Sequence, residues 1–360
     1  MRWSRLIAFW TALALAACSG RSSVVDQTSV PGAETAASAD AGTSGGDGGG
    51  SIFDGGSFDG GFSPTDGGEA TDAGAPDAGL LVRFVAMGDT GEGSALQTKV
   101  GNTIDAFCAT HGCDFVLLLG DNIYSSGVSS TTDPQWQTKF EQPYANVNLP
   151  FWASLGNHDY GGDGAGWEPA KAQHQVDYTA VSTKWKMPAH HYRFTHKHVE
   201  FFAVDSNAQL FGLDSQQRSD VRGWLNGSTA TWKIVFGHHP YKSNGPHGNA
   251  GTYNGLPPFT PIAAGQGVKS FVESVTCGRA DFYLSGHDHS RQWLATPCQG
   301  TELIVSGAGA KASTLEGSNP THFQKATVGF LYVRVEGKTL TAQFVDENGA
   351  VELTRSVTKP

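Results

Sequence analysis

Several common functional signatures are absent from this sequence of 360 residues. No apolar run reaches the roughly 18 residues of a membrane-spanning helix. GxxxxGK[ST] does not occur, GxSxG occurs only in the Gly/Ser-rich stretch 42–46, and no two cysteines have CxxC spacing. Serine hydrolases, P-loop enzymes and cysteine-based metal sites are therefore poor candidates. A basic excess is also missing, since 24 Lys and Arg stand against 34 Asp and Glu, and this argues against a nucleic-acid-binding protein.

The N-terminal residues 1–18 predict export. Arg2 and Arg5 precede the apolar run LIAFWTALALA, and the small-residue stretch LAAC ends at Cys18, which is the order of a secretory signal. LAAC resembles the lipobox of bacterial lipoproteins. That resemblance implies a lipid anchor on Cys18 and a place in the cell envelope, at the outer membrane, in the periplasm or at the cell surface. An ordinary signal peptide that releases a soluble protein is the alternative.

Residues 19–79 predict a disordered linker. This segment consists mainly of Gly, Ala, Ser, Thr and Asp, and such a composition cannot bury enough apolar surface to offset its ordering entropy. Its Asp-Gly-Gly repeats lack the nonapeptide period of calcium-binding repeats. It holds ten acidic residues against Arg21 alone, so most of the net charge of −10 belongs to the linker and says nothing about a substrate.

The cysteines agree with an oxidising compartment. Apart from Cys18 there are four, Cys108, Cys113, Cys277 and Cys298, and an even number in an exported protein predicts two disulfides. The local pairs 108–113 and 277–298 are the simplest of three connectivities.

Residues 80–360 predict one α/β domain. A helix is expected after a cap at Ser94 and before a stop at Gly112, and a hairpin is expected to turn at Gly337. The apolar, β-branched runs predict strands that alternate with helical patterns. These strand runs are 80–87, 113–120, 149–156, 198–205, 232–237, 279–286 and 302–307, and further helical patterns cover 215–227 and 267–278.

Five of the strand runs end in glycine followed by a potential metal ligand. A single Gly-Asp after a strand usually marks a turn, but turn chemistry gives no reason for this repetition. Ligands gather at the carboxyl ends of strands in such sheets. The candidates are Asp89, Asp121 with Tyr124, Asn157, His238, and His287 with His289. Seven such ligands suffice for two metal ions if one carboxylate bridges them, with hard oxygen donors favouring a highly charged ion and the His/Asn group a borderline divalent ion.

The series GDTG, GDNIY, GNHD, GHH and GHDH resembles the calcineurin-like metallophosphoesterases, over about residues 80–346. The tyrosine three residues after the second Asp narrows the resemblance to the purple acid phosphatases, of the small tartrate-resistant type. The resemblance implies a four-layer α/β/β/α sandwich with a single catalytic domain. It also implies Fe(III) held by Asp89, Asp121, Tyr124 and His289, and a divalent Fe, Zn or Mn ion held by Asp121, Asn157, His238 and His287. The phenolate of Tyr124 would stabilise Fe(III) and give the protein its colour.

Two further histidines match the family's pocket residues, His158 after the ligand Asn157 and His247 nine residues after His238. An imidazolium can donate a proton or stabilise charge at a leaving oxygen. His239 is interpreted as structural, and His190, His191, His196 and His198 as ordinary surface or strand residues. Loops 161–174 and 243–258 depart from the family and are expected to border the pocket, which puts substrate choice in doubt.

The function implied by the resemblance is hydrolysis of phosphate monoesters by in-line attack of a metal hydroxide, with an acidic pH optimum. Small phosphate esters or phosphorylated peptides are the expected substrates. Two alternatives stay open: a phosphodiesterase or pyrophosphatase of the same superfamily, and a tethered binding protein with a structural, non-catalytic metal site.

Overall fold

A computed structural model describes residues 80–360, which belong to one compact unit, Ala70–Pro360. The signal peptide, the lipid anchor on Cys18 and the linker lie outside the described residues. No helix within residues 80–360 has the length and apolar character to span a membrane.

Fourteen strands and five α-helices form the described part of the chain. The strands are β1 (Leu81–Met87), β2 (Phe115–Leu119), β3 (Phe151–Ser154), β4 (Trp185–Lys186), β5 (Tyr192–His196), β6 (Val199–Ala203), β7 (Trp232–Phe236), β8 (Phe282–Ser285), β9 (Arg291–Leu294), β10 (Glu302–Ser306), β11 (Thr321–Lys325), β12 (Gly329–Glu336), β13 (Thr339–Asp346) and β14 (Val351–Thr358). The helices are α1 (Ala95–His111), α2 (Pro169–Asp177), α3 (Ser206–Phe211), α4 (Ser215–Gly227) and α5 (Gln266–Phe271).

The strands form two mixed sheets of seven strands each. The first sheet has the order β14-β13-β12-β1-β2-β3-β4, and the second has the order β11-β9-β10-β8-β7-β6-β5. Strands β1 to β4 run parallel in the first sheet, and β6, β7, β8 and β10 run parallel in the second. The carboxyl ends of these two parallel groups carry the predicted ligands.

Apolar side chains from both sheets pack against each other in one continuous core. Phe84 of the first sheet makes an edge-to-face contact with Phe201 of the second at a centroid distance of 5.2 Å, and Phe115 contacts the same ring at 5.2 Å. Helix α1 buries Val100 and Ile104 in this cluster, while α4 and α5 join a second cluster on the other face of the second sheet. The predicted α/β sandwich with helices outside two sheets and a single catalytic domain is confirmed.

The predicted limits of α1 are also confirmed. Ser94 Oγ accepts a hydrogen bond from the amide of Gln97 at 3.1 Å, and Gly112 has a φ of 75° as the C-cap. The two predicted disulfides form the local pairs, Cys108–Cys113 and Cys277–Cys298. The hairpin turns at Gly337, with Glu336 paired to Thr339.

Candidate metal centre

The candidate ligands lie at the strand ends, where the backbone is unusual. Asp89 follows β1 and Asp121 follows β2, with φ values of 59° and 52°, and His287 after β8 has a φ of 70°. Such left-handed conformations are uncommon for residues other than glycine and are found where function demands a particular side-chain direction. The three residues thus direct their side chains to one place at a cost in backbone energy.

The glycines that precede the ligands are needed for close packing. A Cβ on Gly156 would lie 2.2 Å from Asp121 Oδ1, and a Cβ on Gly120 would lie 2.6 Å from His238 Nδ1. Gly120 also has a φ of 82°. The sequence pattern of glycine before a ligand therefore has a physical cause, because any side chain there would occupy the space of a neighbouring ligand.

Oxygen ligands gather around the phenol of Tyr124, whose Oη lies 2.9 Å from Asp89 Oδ1 and 2.7 Å from Asp121 Oδ2. His289 Nε2 is 3.3 Å from the same Oη and 3.3 Å from Asp89 Oδ1. Burial raises the pKa of the Tyr124 phenol, and the carboxylates of Asp121 and Asp89 raise it further. In the absence of a bound cation, the phenol therefore keeps its proton within reach of both carboxylates.

A second group of ligands surrounds His238 Nε2, which lies 2.9 Å from Asn157 Oδ1 and 3.1 Å from His287 Nδ1. His238 Nδ1 donates to the carbonyl of Leu119 at 2.9 Å. That bond fixes the ring and makes Nε2 the atom that faces the other candidate ligands.

Asp121 contacts both groups, because its Oδ2 is also 3.4 Å from His238 Nε2. Burial lowers the pKa of His238, but the Asp121 carboxylate outweighs it and raises that pKa to about 9. Burial likewise opposes ionisation of Asp121, yet His238 holds the pKa of that carboxyl below its usual range. One oxygen each of Asp89 and Asp121 and a ring nitrogen of His238 lie within 4.8 Å of one another.

This donor set fits two metal ions. Asp89 and Asp121 are buried carboxylates, and within residues 80–360 their ion pairs are with His289 and His238. Buried anions of this kind need a cation or a metal to offset their desolvation. The structure thus brings all seven predicted ligands together in two groups that share Asp121.

The two sheets contribute different atoms to the centre. The oxygen donors follow strands of the first sheet and belong to Asp89, Asp121, Tyr124 and Asn157. The imidazoles of His238, His287 and His289 follow strands β7 and β8 of the second sheet.

His158 and His247 lie beside the ligands, and each ring is fixed through Nδ1. His158 Nδ1 donates to the carbonyl of Ser125 at 2.6 Å, and its ring centroid is 4.4 Å from that of Tyr124. His247 Nδ1 lies 2.9 Å from Asn254 Oδ1, and its ring stacks on His287 at a centroid distance of 4.0 Å. The Nε2 atom of each ring is thereby left for a ligand.

The five other histidines that the sequence analysis considered contact none of the candidate metal ligands through their hydrogen bonds or ion pairs described here. His239 is buried, its Nδ1 lies 2.9 Å from Ser206 Oγ, and burial lowers the pKa of its ring, so it is a neutral core residue. His191 Nε2 pairs with Asp220 at 3.0 Å, and His196 lies 3.9 Å from Asp114. His190 lies 3.9 Å from Asp205, and His198 is a buried residue between β5 and β6.

The roles of three residues near the centre were missed from the sequence, although Asp159 and Asp288 stand within the GNHD and GHDH motifs. Asp159 is buried and accepts hydrogen bonds from the amides of Asn122 and Gly156, which follow strands β2 and β3. Asp288 accepts from the amide of His247 at 2.9 Å. Lys311 Nζ lies 3.3 Å from the ring centroid of Tyr124 and pairs with Glu92 at 2.5 Å. The two aspartates position the loops that hold His158 and His247, whereas Lys311 adds a positive charge beside the phenol.

Comparison with known proteins gives a consistent result. Residues 82–291 match the family model for calcineurin-like phosphoesterases. Purple acid phosphatase 3 of Arabidopsis thaliana is 27% identical over 300 residues, covering 75% of this chain and 76% of the relative. Tartrate-resistant acid phosphatase type 5 of Sus scrofa is 27% identical over 310 residues, covering 75% and 84%. The solved structure of GAP50, described as the anchor in the inner membrane complex of Plasmodium, shares the fold with a TM-score of 0.61 at 20% identity, covering 78% of this chain and 90% of its own.

Proposed function

The chain belongs to the calcineurin-like phosphoesterase family, and on that premise we propose that it is a binuclear-metal acid phosphatase that hydrolyses phosphate monoesters. The observation that carries the proposal is the position of Asp121 among the seven candidate ligands, since its Oδ2 lies 2.7 Å from Tyr124 Oη of the first group and 3.4 Å from His238 Nε2 of the second. The purple acid phosphatase relatives support it.

The metals proposed are Fe(III) and a divalent Fe, Zn or Mn ion. Asp89, Tyr124 and His289 would hold the first ion, Asn157, His238 and His287 the second, and Asp121 both. When bound, such ions supply positive charge for the phosphate oxygens and lower the pKa of water. The hard phenol and carboxylates of the first group favour a highly charged ion, and the imidazoles of the second favour a borderline one.

His158 and His247 are proposed as catalytic residues. Each ring is held through its Nδ1, so each Nε2 has a fixed position beside the ligands. There a protonated imidazole can donate to a phosphate oxygen or to the departing alcohol. A donor of this kind acts only while it carries its proton, which is consistent with an acidic optimum.

The test is turnover of 4-nitrophenyl phosphate by the purified protein between pH 4 and pH 9. We expect metal-dependent activity with an optimum below neutrality, abolished by a chelator and lowered about 10²–10⁴-fold by His158→Ala or His247→Ala. His196→Ala is the matched control, because that ring lies on β5 and contacts none of the ligands. An optimum above about pH 8 would point to two divalent ions instead.

Two other candidates are separated by the same assay. Faster turnover of bis(4-nitrophenyl) phosphate or of pyrophosphate than of the monoester would favour a phosphodiesterase or a pyrophosphatase. A tethered, non-catalytic protein is suggested by the fold shared with the Plasmodium anchor. His158 and His247 argue against it, since a purely structural metal site would not need them.

Partners and location stay proposals as well. Small phosphate esters or phosphorylated peptides are the proposed substrates, and Cys18 is the proposed site of a lipid anchor in the cell envelope.

A further inference from the structure

A cavity of about 280 Å³ adjoins the metal centre at His247. His247 lines it, whereas none of the seven candidate ligands does. The ring of His247 also stacks on that of His287. The cavity therefore adjoins the metal centre through His247.

Both walls of the cavity are held in place. The loop that contains Thr252 is fixed by the amide of Asn254, which donates to the carbonyl of His247 at 2.9 Å, and by the phenol of Tyr253, which donates to the carbonyl of Pro240. The segment that contains Glu316 and Gly317 is fixed as well, since their amides donate to the carbonyl of Asn244 at 2.6 and 2.9 Å.

A network of amide side chains links the lining segments to one another. Asn319 Nδ2 donates to Asn249 Oδ1 at 3.0 Å and to the carbonyl of Ser243 at 2.8 Å. The cavity is thus formed before any ligand arrives, and little ordering entropy remains to oppose binding.

The chemistry of the lining is polar, with one negative charge. The lining includes the hydroxyl and amide groups of Thr252, Ser318 and Asn249, together with glycines and a single proline. No Phe, Tyr or Trp lines the cavity. Among the residues that line the cavity, Glu316 is the one Asp, Glu, Lys or Arg residue. Its carboxylate is exposed, accepts from Thr314 Oγ1 at 3.2 Å and forms no ion pair within residues 80–360. An unpaired carboxylate beside hydroxyls and amides suits an ammonium group better than a second anion or an aromatic ring.

We propose that this cavity receives the alcohol part of the substrate, and that the substrate is the phosphate monoester of a small amino alcohol. The inference rests on the proposed function. With the phosphate at the metal centre, the ester oxygen lies near His247, and the carbon chain enters the cavity. The ammonium group then pairs with Glu316, and its remaining N–H groups donate to the amide and hydroxyl oxygens of the lining.

The experiment compares kcat/KM for phosphoethanolamine, glycerol 1-phosphate and 4-nitrophenyl phosphate in the full-length, metal-loaded protein. The wild type is expected to prefer phosphoethanolamine to glycerol 1-phosphate. Glu316→Gln should lower kcat/KM for phosphoethanolamine about three- to five-fold, as expected for an exposed charge pair, and leave the other two substrates unchanged. Glu316→Lys should reverse the preference.

Asp105→Asn is the matched control, because it removes one negative charge from α1, which contributes nothing to the cavity. A wild type that prefers glycerol 1-phosphate, equal effects of Glu316→Gln on all three substrates, or the same effect from Asp105→Asn would overturn the inference while leaving the phosphatase intact. Absence of turnover of every monoester would overturn the proposed function and this inference together.

Discussion

The phenol of Tyr124 lies between the carboxylates of Asp89 and Asp121. If it binds Fe(III), its charge transfer to the iron should give the oxidised protein a broad visible absorption band. Tyr124→Phe should abolish that band and leave the far-UV circular dichroism spectrum unchanged, because the ring itself stays packed.

The measurement is a visible spectrum of iron-loaded wild type and variant with metal content determined in parallel. A colourless wild type that holds one tightly bound iron in the oxidised state would contradict the ferric-tyrosinate assignment. Tyr332→Phe serves as control, since that phenol bonds the carbonyls of His111 and Gly112, away from the ligands.

Gly156 is a second residue with a sharp expected effect. An added Cβ would lie 2.2 Å from Asp121 Oδ1 and 2.3 Å from the Asp121 amide, so either the Asp121 carboxylate or β3 must move. Gly156→Ala should therefore lower metal affinity or activity about 10- to 100-fold, measured by metal titration and turnover. Gly223→Ala, where nothing lies within 4 Å of the new Cβ, should leave both unchanged.

Helix α3 depends on a buried carboxylate whose charge state varies with pH. Asp205 caps α3 by accepting from the amide of Ala208 at 3.0 Å, and Tyr160, His190 and Asp214 face it. Burial raises the pKa of Asp205, and the hydrogen bond from Tyr160 only partly offsets this. A raised folded-state pKa contributes stability that is present below the unfolded value of about 3.9 and is lost as pH rises through the folded pKa.

Asp205→Asn removes the free-energy cost of burying an ionised carboxylate, a cost that the wild type has at higher pH. The Tm of the variant relative to wild type should therefore become more favourable as pH rises from about 3.9 through the folded-state pKa. Thermal melts of both proteins over this range test the prediction, with the exposed Asp177→Asn as control. A difference in Tm that does not change with pH would show that the ionisation of Asp205 has no effect on stability.

The two disulfides close loops of different length, with sequence separations of 21 for Cys277–Cys298 and 5 for Cys108–Cys113. Loop-closure entropy predicts about 3 kcal/mol of stabilisation for the longer loop and about 2 kcal/mol for the shorter. Denaturant unfolding of the two double Cys→Ala variants should therefore show the larger decrease in the free energy of unfolding for the variant that lacks the 277–298 disulfide. The opposite ranking would mean that strain or residual structure, rather than loop length, decides.

The strands and helices that the sequence predicted share strong local patterns. β1, β2, β7 and β10 are buried apolar runs, and α4 spans the predicted 215–227. The sequence missed β4, which has two residues, the short RQWL run of β9, and the edge strands β5, β11 and β14. The THFQK and VELTRSVT runs of β11 and β14 are largely exposed. Edge strands pair on one side only, so packing demands little apolar character of them.

The gathering of the seven candidate ligands was predictable because one motif, glycine followed by a polar residue, recurs at several strand ends. Their supports were not, since Asp159 and Asp288 act through backbone amides that any residue can supply. Lys311 reaches Tyr124 from a loop far along the chain. Contacts of this kind depend on the order of strands in the two sheets, which local patterns do not determine.

The attachment of the whole molecule to a membrane is testable at one position. Cys18 lies outside the described residues, and its lipidation remains a prediction from LAAC. Fractionation of cells that express the wild type should place phosphatase activity with membranes, and Cys18→Ser should move it to the soluble fraction. Wild-type activity that is wholly soluble and unchanged by the substitution would reject the anchor.

Because oxygen ligands come from one sheet and imidazoles from the other, metal ions bound at this centre would link the two sheets of the sandwich. Whatever binds the native state alone adds its binding free energy to the free energy of unfolding, about 2.7 kcal/mol at a hundred-fold excess over Kd. Chelation should therefore lower Tm by about 5–10 °C, and an increase in metal concentration should raise it. The heat resistance of this protein then reports how much metal its surroundings supply.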